Sequence, residues 1–252
     1  MNKLKLLFLD LETAPLLAYI WRPNQEFIPY HAMVQDSFLL SWSAKWEDSD
    51  VVGMSLTGAE ARAQDDERIV LALAKLLRQA DIVVAHNATS FDIPMFNSRL
   101  LLLGLEPMGR VKTIDTLRLA RQNFNLSHNN LDYLASLLGV GAKIETNFQL
   151  WKDAYMGNKA ALKDMLEYNK NDVVLLQAVY DKMLPYVNTL PRLIETTDSE
   201  FVCPFCGSES VHKRGLYRTG ASTYQRYQCN DCLRYSRQKT SLKEYAPALQ
   251  PV

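Results

Sequence analysis

An apolar run that ends in two carboxylates is the tightest constraint this chain carries: Leu4-Lys5-Leu6-Leu7-Phe8-Leu9 leads directly into Asp10-Leu11-Glu12. Residues 4–10 read as a buried strand, and strand alternation sends Asp10 and Glu12 off the same face. Buried without partners, such acids would cost on the order of several kcal/mol. The strand must therefore end at a cation or at a solvent-open site. Two further acids lie downstream, Asp92 in His86-Asn-Ala-Thr-Ser-Phe-Asp92-Ile-Pro and Asp172 in Tyr168-Asn-Lys-Asn-Asp172-Val. Tyr168 and Asp172 are four apart, hence on one face of a helix. Hard divalent cations prefer carboxylate oxygens, so four converging acids point to a two-metal centre for phosphoryl transfer.

Hydrophobic periodicity predicts strands over 38–46 and 51–56 with a Glu-Asp-Ser-Asp turn between them, a helix over 65–80 and a short strand over 82–85. A helix from Asp92 to Gly104 follows, with Pro94 in its first turn. Beyond it the pattern gives a strand over 111–115, helices near 116–123 and 129–138, and a long helix over 159–184. A meander followed by alternating helix and strand implies an α/β domain, a mixed sheet with helices on its faces. The segment 191–202 reads as a linker, which sets domains at 1–190 and 203–252.

These three acidic motifs resemble the DEDD (DnaQ-like) 3′-5′ exonuclease superfamily, on a ribonuclease H-like fold, in its tyrosine subclass. The first motif is Asp10-Leu-Glu12, the second runs from Asn87 to Asp92, and the third is Tyr168-x-x-x-Asp172; the resemblance spans about residues 4–188. It implies that Asp10, Glu12, Asp92 and Asp172 hold two Mg²⁺ or Mn²⁺ ions, with Asp10 bridging them. It also implies that Tyr168 orients the water that attacks the terminal phosphodiester, releasing nucleoside 5′-monophosphates. Thr13, Asn87 and Phe91 are expected beside the terminal nucleotide, although Phe91 also fits a core position. His86 reads as a strand-end histidine and not a general base. Asp115 either supports the site from behind or caps the helix that follows it.

All four cysteines lie near the C-terminal end, as Cys203-Pro-Phe-Cys206 and Cys229-Asn-Asp-Cys232. Two Cys-x-x-Cys pairs about 20 residues apart match one structural Zn²⁺ held by four thiolates, with His212 a bystander. This segment resembles zinc ribbons of DNA-associated proteins. Residues 203–252 hold 8 Lys+Arg against 3 Asp+Glu, leaving 20 against 25 in residues 1–202. Arginines interleave with tyrosines in this basic end, a composition suited to phosphate contact and base stacking, with Arg226 and Arg234 as candidate contacts.

No run of about 18 uncharged apolar residues exists, so no membrane helix is expected and a cytoplasmic location is the default. The reading is a 3′-5′ exonuclease on single-stranded nucleic acid, DNA favoured and RNA open, with the ribbon aiding substrate binding. The ribbon is also open to a protein partner. The alternatives are a structure-specific endonuclease on the same fold and a nucleic-acid-binding recruitment protein.

Overall fold

The computed structural model describes residues 2–22, 24, 27–109, 111–187, 190, 193–195 and 201–242. The chain divides into two compact units, Lys5–Tyr180 and Met1–Leu4 with Asp181–Val252.

The larger unit is built on a five-stranded sheet. Its strands are β1 (Leu6–Thr13), β2 (Leu39–Trp46), β3 (Val52–Ser55), β4 (Ile82–Ala85) and β5 (Lys112–Asp115), in the order β3-β2-β1-β4-β5. β1–β3 form an antiparallel meander, and β4 and β5 add parallel to β1. The expected mixed sheet is thus present. Seven helices accompany it in the described residues: α1 (Gly58–Ala63), α2 (Glu67–Leu77), α3 (Asp92–Leu102), α4 (Thr116–Asn123), α5 (Leu131–Leu137), α6 (Phe148–Tyr155) and α7 (Lys159–Met183). All seven helices and strands expected between 65 and 184 match the observed bounds to within a few residues; the short helices α1 and α6 were not foreseen.

Alternation along β1 assigns its two faces. Leu7, Leu9 and Leu11 join a buried core with Ile69, Leu73 and Leu77 of α2 and Phe96 and Leu100 of α3. Under that layer, Asp66 accepts two hydrogen bonds from the Arg99 guanidinium, at 2.7 and 2.8 Å, and one from the Leu39 backbone N–H. Two buried charges therefore satisfy each other and tie the start of α2 to α3 and β2.

The other face of β1 carries Phe8, Asp10 and Glu12. Phe8 packs edge-on against Tyr180 of α7, with ring centroids 5.4 Å apart. Opposite the acids across β2 stand Ser43 and Ser41, both fully buried, and Gly53 lies beside Ser43 on β3. A Cβ on Gly53 would meet Leu166 Cδ1 at 2.9 Å and Ser43 Oγ at 2.7 Å. This run of small residues lets α7 lie close over the sheet, which brings its side chains to the two acids.

The smaller unit holds β6 (Val211–Arg218), β7 (Thr223–Cys229) and β8 (Tyr235–Arg237), an antiparallel sheet in that order. Asn2–Lys3 pairs antiparallel with Ile194–Glu195 in the same unit. The expected linker 191–202 therefore contains a short paired segment; its residues 191, 192 and 196–200 lie outside the described residues. No helix among the described residues is long and apolar enough to cross a membrane.

Candidate metal-dependent nuclease site and cysteine cluster

Asp10 and Glu12 leave β1 on the α7 side, as alternation requires, and meet Asp172 there. Ligand oxygens of these three residues all lie within 4.8 Å of one another. Asp92 is the first residue of α3, with Phe91 at the N-cap, and is 1 % exposed. The Asp10 charge acts on it directly, and its carboxyl also accepts a hydrogen bond from the Leu11 backbone. Of the four acids expected to converge, Asp10, Glu12 and Asp172 form the close cluster, and Asp92 lies within reach of the Asp10 charge.

Their immediate partners come from α6, α7 and the α5–α6 loop. Asn169, fully buried on α7, donates from Nδ2 to Asp10 Oδ2 at 2.5 Å, while its Oδ1 accepts from Ser41 Oγ at 3.4 Å. Trp151 Nε1 donates to Glu12 Oε2 at 3.2 Å. Lys143 donates from Nζ to Asp172 Oδ2 and to the Tyr168 hydroxyl, the latter at 3.0 Å, and lies 5.1 Å from the centre of the Tyr168 ring. No local pattern marks these three residues as site members. They arrive by loop path and helix crossing.

The acids outnumber this single nearby cation. Burial, then the Asp172 charge, raises Asp10 from 3.8 to about 7, against the pull of Lys143 and Asn169. Burial, then Asp10 and Asp172, raises Glu12 to about 9. Burial also raises Asp92 and Asp172. Lys143, despite its own burial, is held in its charged form above the ordinary lysine range, chiefly by Asp172. Both groups of this pair are raised: Lys143 faces a surplus of acids, whereas Asp172, desolvated, shares one ammonium with its neighbours. Asp92 Oδ1 and Asp172 Oδ1 are buried without a hydrogen-bond partner among the described residues. A close set of desolvated hard oxygen donors with one ammonium among them suits divalent cations.

The second motif is braced from behind. Asp115, at the end of β5, accepts from the Asn87 and Thr89 backbone N–H groups, from Thr89 Oγ1 at 2.7 Å, and from Arg118 N. Both readings of Asp115 hold at once: it caps α4 and supports the loop that presents Asp92. Asn87 takes the left-handed conformation there, with φ 73°. His86 Nδ1 lies 2.9 Å from Thr116 Oγ1, and burial lowers its pKa to about 4, so it is neutral near pH 7. Thr13 closes β1 one residue after Glu12, and Phe91 is 36 % exposed rather than a core side chain.

In the smaller unit the four cysteines come together as free thiols. Cys203 and Cys232 Sγ atoms are 3.6 Å apart, as are those of Cys206 and Cys229. Four sulfurs at about 2.3 Å from one tetrahedral ion would be separated by about 3.8 Å, so this arrangement fits a single metal. Turns at Gly207 (φ 79°) and Leu233 (φ 60°) follow the two Cys-x-x-Cys pairs. His212 is exposed on β6 and outside the cluster.

One expected contact is corrected. Arg234 is 2 % exposed, with its guanidinium 3.5 Å from the centre of the Phe205 ring and Nη2 3.4 Å from Val187 O. It packs the interior of the unit because Leu233 reverses the chain just before it. Arg226, in contrast, lies on the sheet, partly exposed, with Nε donating to Arg214 O.

The fold and a cluster of acids able to hold a metal ion fit a nuclease scaffold, and the chain belongs to the RNase H superfamily, whose family profile matches residues 44–184. That match includes Asp92, Tyr168 and Asp172. The chain is similar to the DNA polymerase III PolC-type of Ureaplasma parvum serovar 3, at 28 % identity over 40 % of this chain and 10 % of that one. In structure it resembles the family B DNA polymerase of Pyrobaculum calidifontis, with a TM-score of 0.51 and 19 % identity over 73 % of this chain and 25 % of that one. The chain thus spans about a tenth and a quarter of these two proteins, and the second likeness concerns the fold alone.

Proposed function

We propose that the protein is a 3′-5′ exonuclease of the tyrosine subclass, acting on single-stranded nucleic acid, with DNA favoured over RNA. The observation that supports this best is the meeting of Asp10, Glu12 and Asp172 beside Asp92, with the Tyr168 hydroxyl tied to Asp172 through Lys143. Asp10, Glu12, Asp92 and Asp172 would hold two Mg²⁺ or Mn²⁺ ions, which when bound supply the positive charge for an in-line displacement at phosphorus.

The chain's own groups do the positioning. Burial raises the Tyr168 phenol to about 12, so it keeps its proton at neutral pH. Its oxygen accepts from Lys143, which leaves the phenolic O–H as a donor aimed by that bond; such a group can orient an attacking water. Asn169 and Trp151 fix the carboxylates of Asp10 and Glu12, so that the oxygens need little rearrangement on binding. Thr13 at the end of β1, Phe91 at the N-cap of α3 and Asn87 in the loop before it would touch the terminal nucleotide.

The smaller unit, in this reading, is a zinc ribbon held by Cys203, Cys206, Cys229 and Cys232, and it aids substrate binding with Arg226 among its contacts. The domain bounds 1–190 and 203–252 and a cytoplasmic location belong to the same proposal. Degradation of 3′- and 5′-labelled single strands with Mg²⁺ or Mn²⁺ tests it. Stepwise loss of nucleotides from the 3′ end, abolished in Asp10→Ala, is expected; cleavage unchanged by Asp10→Ala would overturn it. Native mass spectrometry should find about one zinc per chain, lost in Cys206→Ser.

A further inference from the structure

We propose that one face of the β6–β7–β8 sheet is a stacking surface for single-stranded nucleic acid, formed by Tyr217, Tyr224, Arg226, Tyr235 and Arg237. The identity of the ligand rests on the nuclease reading; the surface rests on the register of the strands. Tyr217 stands opposite Tyr224, Arg226 opposite Arg237, and Gln228 opposite Tyr235. Residues directly opposite, and residues two apart on one strand, share a face. Tyr217, Tyr224, Arg226, Gln228, Tyr235 and Arg237 therefore project together.

The contacts agree with that register. The Arg237 guanidinium lies 3.9 Å from the centre of the Tyr224 ring and 5.5 Å from that of Tyr217, and Arg226 lies 5.2 Å from that of Tyr235. The opposite face is already in use. Tyr227 packs edge-on against Phe201 at 4.9 Å, and Cys229, two residues along, enters the thiol cluster. The Tyr/Arg face holds none of the four cysteines, and its ring contacts lie among its own side chains, Tyr217 against Tyr224 at 6.4 Å included.

Chemistry selects the occupant. The three strands carry Lys213, Arg214, Arg218, Arg226 and Arg237 and no Asp or Glu, so their field favours a polyanion. A guanidinium held over a ring still has edge N–H donors to offer, and these suit phosphate oxygens. Tyr217 is 45 % exposed and Tyr224 is partly exposed, presenting π-surface beside those donors. A single strand offers both phosphates and base faces, whereas a duplex hides its base faces and an acidic peptide has none.

The experiment uses the full chain carrying Asp10→Asn, so that the probe is not cut, and a fluorescein-labelled oligothymidylate read by anisotropy. Arg237→Ala, Tyr224→Ala and the least intrusive variant, Tyr217→Ala, should each weaken binding by about fivefold to tenfold. Arg237→Lys keeps the charge but loses the planar stack, and should lose nearly as much as Arg237→Ala. A labelled duplex of equal length should change by less than about twofold. Zinc content and far-ultraviolet circular dichroism identify any variant that misfolds, and Tyr217→Ala decides the matter if Tyr224→Ala does. The proposal is overturned if folded variants bind like the parent, if Arg237→Lys binds like the parent while Arg237→Ala does not, if duplex binding falls equally, or if polyglutamate displaces the strand from parent and variants alike. A parent series that shows the expected losses while the wild-type chain degrades no strand would sink the nuclease reading and leave the surface standing.

Discussion

Replacing Asp10 with asparagine should stabilise the protein when divalent cations are absent and remove the stabilisation that they confer. In the folded chain burial and the Asp172 charge lift the Asp10 carboxyl from 3.8 to about 7. Between these values the folded state holds a proton that the unfolded state has lost, so this group's contribution to stability falls as pH rises from about 4 to about 7. At pH 8 the full cost of ionising Asp10 is present, which the shift sets at about 4 kcal/mol. Asp10 is only partly buried by surface area, and solvent screening reduces the cost to about 2 kcal/mol. Asparagine has nearly the same shape, and its carbonyl can still accept from Asn169. For a unit of this size, 2 kcal/mol corresponds to a rise of about 4–8 °C in Tm. A divalent cation at a hundred times its Kd should stabilise the wild type by about 2.7 kcal/mol, but Asp10→Asn by far less, so the order of the two proteins inverts. Thermal denaturation at pH 8 measures this, in buffer cleared of divalent ions by resin, since a soluble chelator would compete for the cysteine cluster. An Asp10→Asn protein less stable than wild type without cations, and equally responsive to Mg²⁺, would refute the electrostatic reasoning.

Other substitutions probe the rest of the larger unit. Lys143→Met removes the donor that aims Tyr168, and cleavage of a labelled strand should slow by about 10- to 100-fold, while Tyr168→Phe in that background should cost little more. Arg99→Met strands the fully buried Asp66 carboxylate and should destabilise the larger unit by about 3–5 kcal/mol in urea denaturation. Burial lowers His86 from 6.5 to about 4, so the unfolded state binds the extra proton and stability is lost as pH falls from about 6.5 to about 4. The difference in stability between wild type and His86→Gln should therefore shift by about 2–3 kcal/mol against the wild type between pH 7.5 and pH 4.5; a pH-independent difference would contradict the assignment.

Periodicity alone determined much of this protein. Strand alternation requires Asp10 and Glu12 to share a face, and helical spacing requires the same of Tyr168 and Asp172, because both rules act within a few residues. The long helix, the meander and the two Cys-x-x-Cys pairs are local patterns of the same kind. What only the tertiary structure decided depends on where distant segments cross. Lys143 lies in a loop with no distinctive sequence, yet it is the cation that joins Asp172 to Tyr168. Asn169 reaches Asp10 because Ser41, Ser43 and Gly53 are small enough for α7 to lie close over the sheet, and Trp151 reaches Glu12 from α6. Arg226 and Arg234 are alike in composition and differ in fate, one on a sheet face and one turned inward after Leu233. Side-chain chemistry announces which groups are available, but long-range packing sets which of them are desolvated, and desolvation is what raises the cost of ionising these clustered carboxylates.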